Sequence, residues 1–314
     1  MRFRRYRDRC LGLAVPAALA AFSPHPAGAQ TTSWTAGLGD WGTAANWSDG
    51  EPTADVDAEM PITGTAIVTL AGETCRRFTM GAGGSGSVLR INTGSLTVVE
   101  RLHVGAGFSS TVQHFGGTLS AGELVLGDLA PAAYSMTGGT LTLGSARIGD
   151  DSPSSGTFST GAGSLSCTIM GSLRIAPGGS FVFGAGTLNV GASASDTTVV
   201  EGAFQIANLP AISMTGFKMS DDGALHVLIL PTGVSTIMVT GAAVLNGQLL
   251  ITEVGAPNGT YEILRGNPLQ GTFDMATLPD DWAWRVEGNS LLVTKGQVPV
   301  ERSSWGGIKS RFER

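Results

Sequence analysis

Two aspartates raise the first chemical question. Asp128 follows Gly127, and Asp150 follows Gly149 in the same local pattern 22 residues later, with Asp151 beside it. If successive repeats of the chain stack, the two carboxylates come within ~5 Å of each other. Negative charges that close require a proton or a cation between them. Oxygen ligands of this kind suit calcium, which makes Asp128, Asp150 and Asp151 a candidate metal site. The same separation fits the carboxylate pair of a retaining glycosidase. A plainer reading competes, because aspartate after glycine is good turn chemistry. The matching corners of neighbouring repeats carry Ala106 and Pro177, so the acidic strip would be two layers deep. Asp221-Asp222 and Asp280-Asp281 read as turns in the same way.

The other chemistry-bearing residues are scattered. His103, His114 and His226 lie in strand-like stretches without a metal-spaced partner, and read as structural or surface residues. The run from Gly81 to Gly86 lacks the lysine of a phosphate-binding loop. Motifs that place a serine or cysteine nucleophile are absent from the sequence. No catalytic or cofactor-binding residue is therefore assigned. Trp34, Trp41, Trp47, Trp282, Trp284 and Trp305 all lie outside positions 48–281. Large rings at the two ends suit the covering of a stacked fold, and stacking on sugars is the alternative use.

These residues are positioned by a repeat. Glycine contributes 46 of 314 residues, about twice the usual share, while charged residues are only 14%. The triplet Gly-(Ser/Thr)-Leu recurs at Gly94, Gly117, Gly139, Gly163 and Gly186, at intervals of 23, 22, 24 and 23. Each repeat holds three short alternating stretches, such as Thr118 to Ala121, Glu123 to Leu126 and Ala133 to Met136. Alternation puts Leu124, Leu126, Ile148, Leu173 and Ile175 inside, with Val125, Arg147 and Arg174 outside. Three strands in about 23 residues make one coil of an all-β, single-stranded parallel β-helix, with glycines at its corners. Leu96, Leu119, Leu141, Leu165 and Leu188 are then expected to stack as one interior ladder. Cys75 and Cys167, about four coils or ~19 Å apart, are too distant for a disulfide and read as small buried apolar residues.

The organisation expected is a signal peptide over 1–29, a tryptophan-rich cap over 30–61, a β-solenoid over 62–252, a small β module over 253–295 and a tail over 296–314. Five arginines from Arg2 to Arg9, an apolar run from Leu11 to Phe22 and the Ala27-Gly28-Ala29 site carry the export reading. Cleavage removes five of 19 basic and one of 25 acidic residues, deepening the net charge from −6 to about −10. That balance disfavours nucleic acid as a partner. No later run of about twenty apolar residues is present to form a transmembrane segment.

The spacing Trp34-(x6)-Trp41-(x4)-Asn46-Trp47-(x2)-Gly50-x-Pro52 resembles the opening of exported bacterial β-solenoids, the autotransporter-passenger-like β-helix proteins. The Gly259-Thr260-Tyr261 and Gly271-Thr272-Phe273 boxes, with a hairpin from Trp284 to Thr294 turning at Gly288-Asn289, resemble the segment that ends such passengers. The resemblance implies a secreted or cell-surface bacterial protein, in a family that is mostly adhesive or structural. An autotransporter continues into its own membrane barrel, whereas this sequence stops soon after the solenoid, so release or retention by a partner is expected. Trp305, Ile308 and Phe312 would share one face of a short tail helix, with Lys309, Arg311 and Arg314 beside them, and are expected to form a candidate sorting or docking peptide. The function expected is that of a non-catalytic scaffold or adhesin contacting cell-surface or matrix components, with self-association left open. The alternative is a carbohydrate-active β-helix that binds or cleaves an extracellular polysaccharide.

Overall fold

A computed structural model describes residues 30–296, apart from positions 85, 151–153 and 162. The chain is an all-β parallel solenoid closed by antiparallel strands. Parallel pairing begins with Thr31–Ser33 on Asp57–Met60 and ends with Gln248–Glu253 on Met275–Thr277. The tryptophan-rich segment is thus itself the first coil. Among the described residues, eleven strands stack in one sheet and eighteen in the other. Each coil gives one strand to the smaller sheet and a bent pair of segments to the larger. Ser110–His114 and Thr118–Leu126 show this, the latter bending at Gly122, where a Cβ would lie 2.5 Å from the Glu100 carbonyl oxygen.

The interior is built from columns of stacked side chains. One runs through Leu96, Leu119, Leu141, Cys167, Leu188 and Ile212. Leu165 does not join it, contrary to the ladder expected from the triplet. The strand Leu165–Ile169 pairs two residues out of that phase, so Leu165 faces Gly139 and Cys167 takes the leucine position. Period-two alternation permits this slip, because Leu165, Cys167 and Ile169 all still point inward. The displaced leucine packs at the corner, where a Cβ on Gly186 would lie 2.8 Å from its Cδ1. Cys75 and Cys167 are free and buried in different columns, and burial pushes both thiols up, Cys167 to about 12.

The smaller sheet contributes the column Val112, Tyr134, Phe158, Phe181 and Phe204. Tyr134, Phe158 and Phe181 stack nearly face to face, with centroids 5.0 and 4.6 Å apart. At one end, Trp34, Trp41 and Trp47 are buried edge to face on one another and on Phe78. At the other, the hairpin Trp282–Glu287 and Ser290–Lys295 turns at Gly288-Asn289 and pairs antiparallel with Gly259–Arg265. Trp282 stacks on Tyr261, and Trp284 meets Phe273 edge-on. Described tryptophans therefore fill the ends of the core.

Candidate functional site

The Asp128 corner is made by glycine geometry. Gly127 and Gly149 hold φ of 77° and 76°, and a Cβ on either would strike the backbone of Gly156 or Gly179 at 2.5 Å or less. Both requirements exclude other residues and leave the following aspartate on the rim. Coil stacking then places Arg147 over Val125, and Val125 over His103, on the outer face. The Arg147 guanidinium reaches Asp128 at 2.7 Å and Asp150 at 3.2 Å. The cation required between the carboxylates is thus supplied by the chain. Asp151 lies outside the described residues, as do Trp305, Ile308 and Phe312. Among the described residues, no group of three or more His, Cys, Asp or Glu side chains is placed to hold a metal ion.

His103 completes the cluster, and the sequence reading did not place it there. Its Nε2 lies 3.3 Å from Asp128 Oδ2. Burial pulls the imidazole below its ordinary value, with Asp128 acting in the opposite direction. A neutral imidazole beside a carboxylate has the composition of a general-base pair. The signal was available: applying the repeat to outward positions, rather than to leucines alone, lines His103 up with Val125 and Arg147. Val125, expected outside, occupies the outer face yet is buried beneath these larger neighbours.

A shallow groove of about 390 Å³ opens beside this cluster, lined by Arg77, Thr79, Glu100, Arg101, His103 and Glu123. Arg77 and Arg101 are directly opposed on neighbouring strands, an arrangement that would be repulsive alone. Glu100 pairs with Arg77 at 2.5 Å and Glu123 with Arg101 at 2.7 Å, so charge alternates along the groove. Arg174 and Glu201 continue the pattern at 2.6 Å further down the face.

The adjoining face carries hydroxyls instead. Ser95, Thr118, Thr140, Ser166 and Thr187 form one outward column, and Thr97, Ser120, Thr142 and Thr168 form the next. A shallow cleft of about 650 Å³ crosses it near Thr140, Ser166 and Thr187. The other described histidines, His114 and His226, are structural in their contacts. His114 Nδ1 lies 2.8 Å from the buried Tyr134 hydroxyl, and His226 Nε2 lies 2.8 Å from Thr252 Oγ1.

Fold and surface together define the class, a parallel β-solenoid of about eleven coils with one ion-paired and one hydroxyl-lined face. Comparison with family models, curated proteins and solved structures gives no match.

Proposed function

We propose that the chain is an exported bacterial solenoid of the autotransporter-passenger type, working without catalysis as a scaffold or adhesin at the cell surface or in its matrix. The observation that carries this reading is the coil-by-coil repetition of the same outward chemistry on the Ser/Thr face. A repeating face offers a polymer many equivalent weak contacts, and their sum gives avidity without one deep pocket. The acidic balance left after cleavage favours neutral or basic polymers over nucleic acid. The first 29 residues supply the export signal in this reading, and the tail with Trp305, Ile308 and Phe312 supplies retention.

A second reading has its own support, the His103–Asp128 pair beside an open groove. There the imidazole would take a ring proton from a bound polysaccharide while the neighbouring C–O glycosidic bond breaks by elimination and its oxygen takes a proton from water, with Arg101 or Arg147 steadying the charge that develops. One experiment separates the two. The purified chain is incubated with a panel of soluble and insoluble polysaccharides, and both retention and polymer length are followed. Retention with unchanged length is expected. Shortening that His103→Ala and Asp128→Asn both abolish would replace the scaffold with an enzyme. Failure to bind any polymer or cell envelope would remove the adhesin reading.

A further inference from the structure

The two ends of the solenoid are finished differently. At the first coil, Thr31–Ser33 and Leu38–Asp40 are three residues each, and the chain that follows turns back over the open edge. The Ser48 amide donates to the Ser33 carbonyl at 2.8 Å, the Thr35 amide donates to the Asn46 carbonyl at 2.9 Å, and Trp34 bridges Trp47 antiparallel. At the far end the stack continues past Ile237–Val239 through Gly259–Arg265 and Ser290–Lys295 to Trp282–Glu287. Among the described residues, no strand pairs with the outer edge of Trp282–Glu287. This strand is six residues long and holds neither proline nor lysine, the residues that blunt exposed edges. The other strands that finish this end, Leu269–Gly271 and Met275–Thr277, have three residues each.

The hairpin turn decides which backbone groups that edge offers. Glu287 pairs with Ser290 across Gly288-Asn289, and Gly288 holds φ of 59°. A two-residue turn of this kind makes its flanking residues a hydrogen-bonded pair. Ala283, Arg285 and Glu287 therefore direct their amides and carbonyls at Ser290–Lys295, while those of Trp284 and Val286 point outward. Arg285, Val286 and Glu287 are all exposed, and Arg285 Nε lies 3.1 Å from Glu287 Oε2 on one face of the strand. We propose that this edge docks on the same edge of a second copy of the chain, giving a two-fold dimer joined end to end through Trp282–Glu287.

Charge fixes the register. An antiparallel two-fold that hydrogen-bonds the edges falls on a residue whose backbone groups point outward, Trp284 or Val286. On Trp284, it would set Glu287 opposite Asp281 of the second copy, with like charges directly opposed. On Val286, it sets Arg285 opposite Glu287 of the second copy, twice over, at non-hydrogen-bonded positions where side chains approach closest. The same register places Val286 against its own counterpart, with Trp284 diagonal to it, an aromatic and β-branched contact. The outer edge points along the solenoid axis, so the two bodies extend away from each other. Because the contact is isologous and the first coil is sealed, assembly stops at two. One strand per copy buries well under the ~1,600 Å² of a standard interface, so the dimer fills only as concentration rises. The pairing does not depend on what the long faces bind.

The test is sedimentation velocity of the purified chain from about 1 µM to about 1 mM, with amide hydrogen exchange in parallel. The parent should pass from monomer to dimer, and the Trp284 and Val286 amides should gain protection as it does. Arg285→Glu and Glu287→Arg should each weaken dimerisation at least ~10-fold, because both pairs between the copies become like-charged. Both positions are exposed, so the variants should melt with the parent. An equimolar mixture of the two variants should dimerise again, since one edge is then acidic and the other basic at both positions. A parent that stays monomeric throughout, or that assembles beyond two, overturns the proposal. So does a parent that dimerises only once residues 297–314 are removed, which would seat the tail on this edge. A dimer that survives both reversals, or a mixture that fails to restore it, overturns it equally.

Discussion

Leu141 offers the sharpest test of the coil register. It lies between Leu119 and Cys167 in the inward column, with no exposed surface. Leu141→Asp forfeits the burial of a leucine side chain, about 2 kcal/mol. It also places a carboxyl group among apolar neighbours. Holding that group neutral at pH 7 against an upward displacement of about three pH units costs about 4 kcal/mol more. The sum of ~6 kcal/mol rivals the whole stability of an ordinary domain. Thr142, one residue on, faces outward between Ser120 and Thr168. Thr142→Asp should therefore cost under ~1 kcal/mol. Thermal melting followed by far-UV circular dichroism reads both. At pH 7, Leu141→Asp should lose more than ~10 °C or the cooperative transition altogether. At pH 4 it should recover in part, because the new carboxyl is then neutral at little cost. Thr142→Asp should melt with the parent. Equal melting of the two variants would refute the assignment of inward and outward faces.

Phe158→Ala removes the middle ring of the Tyr134–Phe158–Phe181 stack and should cost about 3–5 kcal/mol, read as a fall in denaturant midpoint at constant slope. Arg147→Ala strips Asp128 and Asp150 of their shared cation. The loss should be roughly 1–2 kcal/mol at low salt and less at high salt, and calcium should raise the melting temperature of the variant more than that of the parent. Burial holds His114 below its ordinary value, with the Gly117 and Gly116 backbone acting in the opposite direction. The folded state therefore binds fewer protons than the unfolded one below about 6.5, and His114 costs stability as pH falls from that point. Replacing both members of the pair, His114→Leu with Tyr134→Phe, should flatten this acid limb in a pH series of melting temperatures while leaving stability near neutral pH little changed.

The sequence alone determined the architecture. Backbone chemistry repeats within each coil, so alternation and the glycine interval were enough to specify three strands, parallel stacking and the inward face of Leu124, Ile148 and Ile175. The antiparallel ending and its turn at Gly288-Asn289 were equally legible, because the turn residues are local. Register at Leu165 was not, since a two-residue slip preserves the alternation and only corner packing distinguishes the two phases. Nor did the sequence disclose which charges meet. Arg147 between Asp128 and Asp150, and His103 against Asp128, join residues between 3 and 25 positions apart. Those meetings depend on how far each corner carries the chain before the next strand begins. Strand pattern is a property of neighbouring residues, whereas these contacts are properties of the space between coils, and tertiary structure alone decides them.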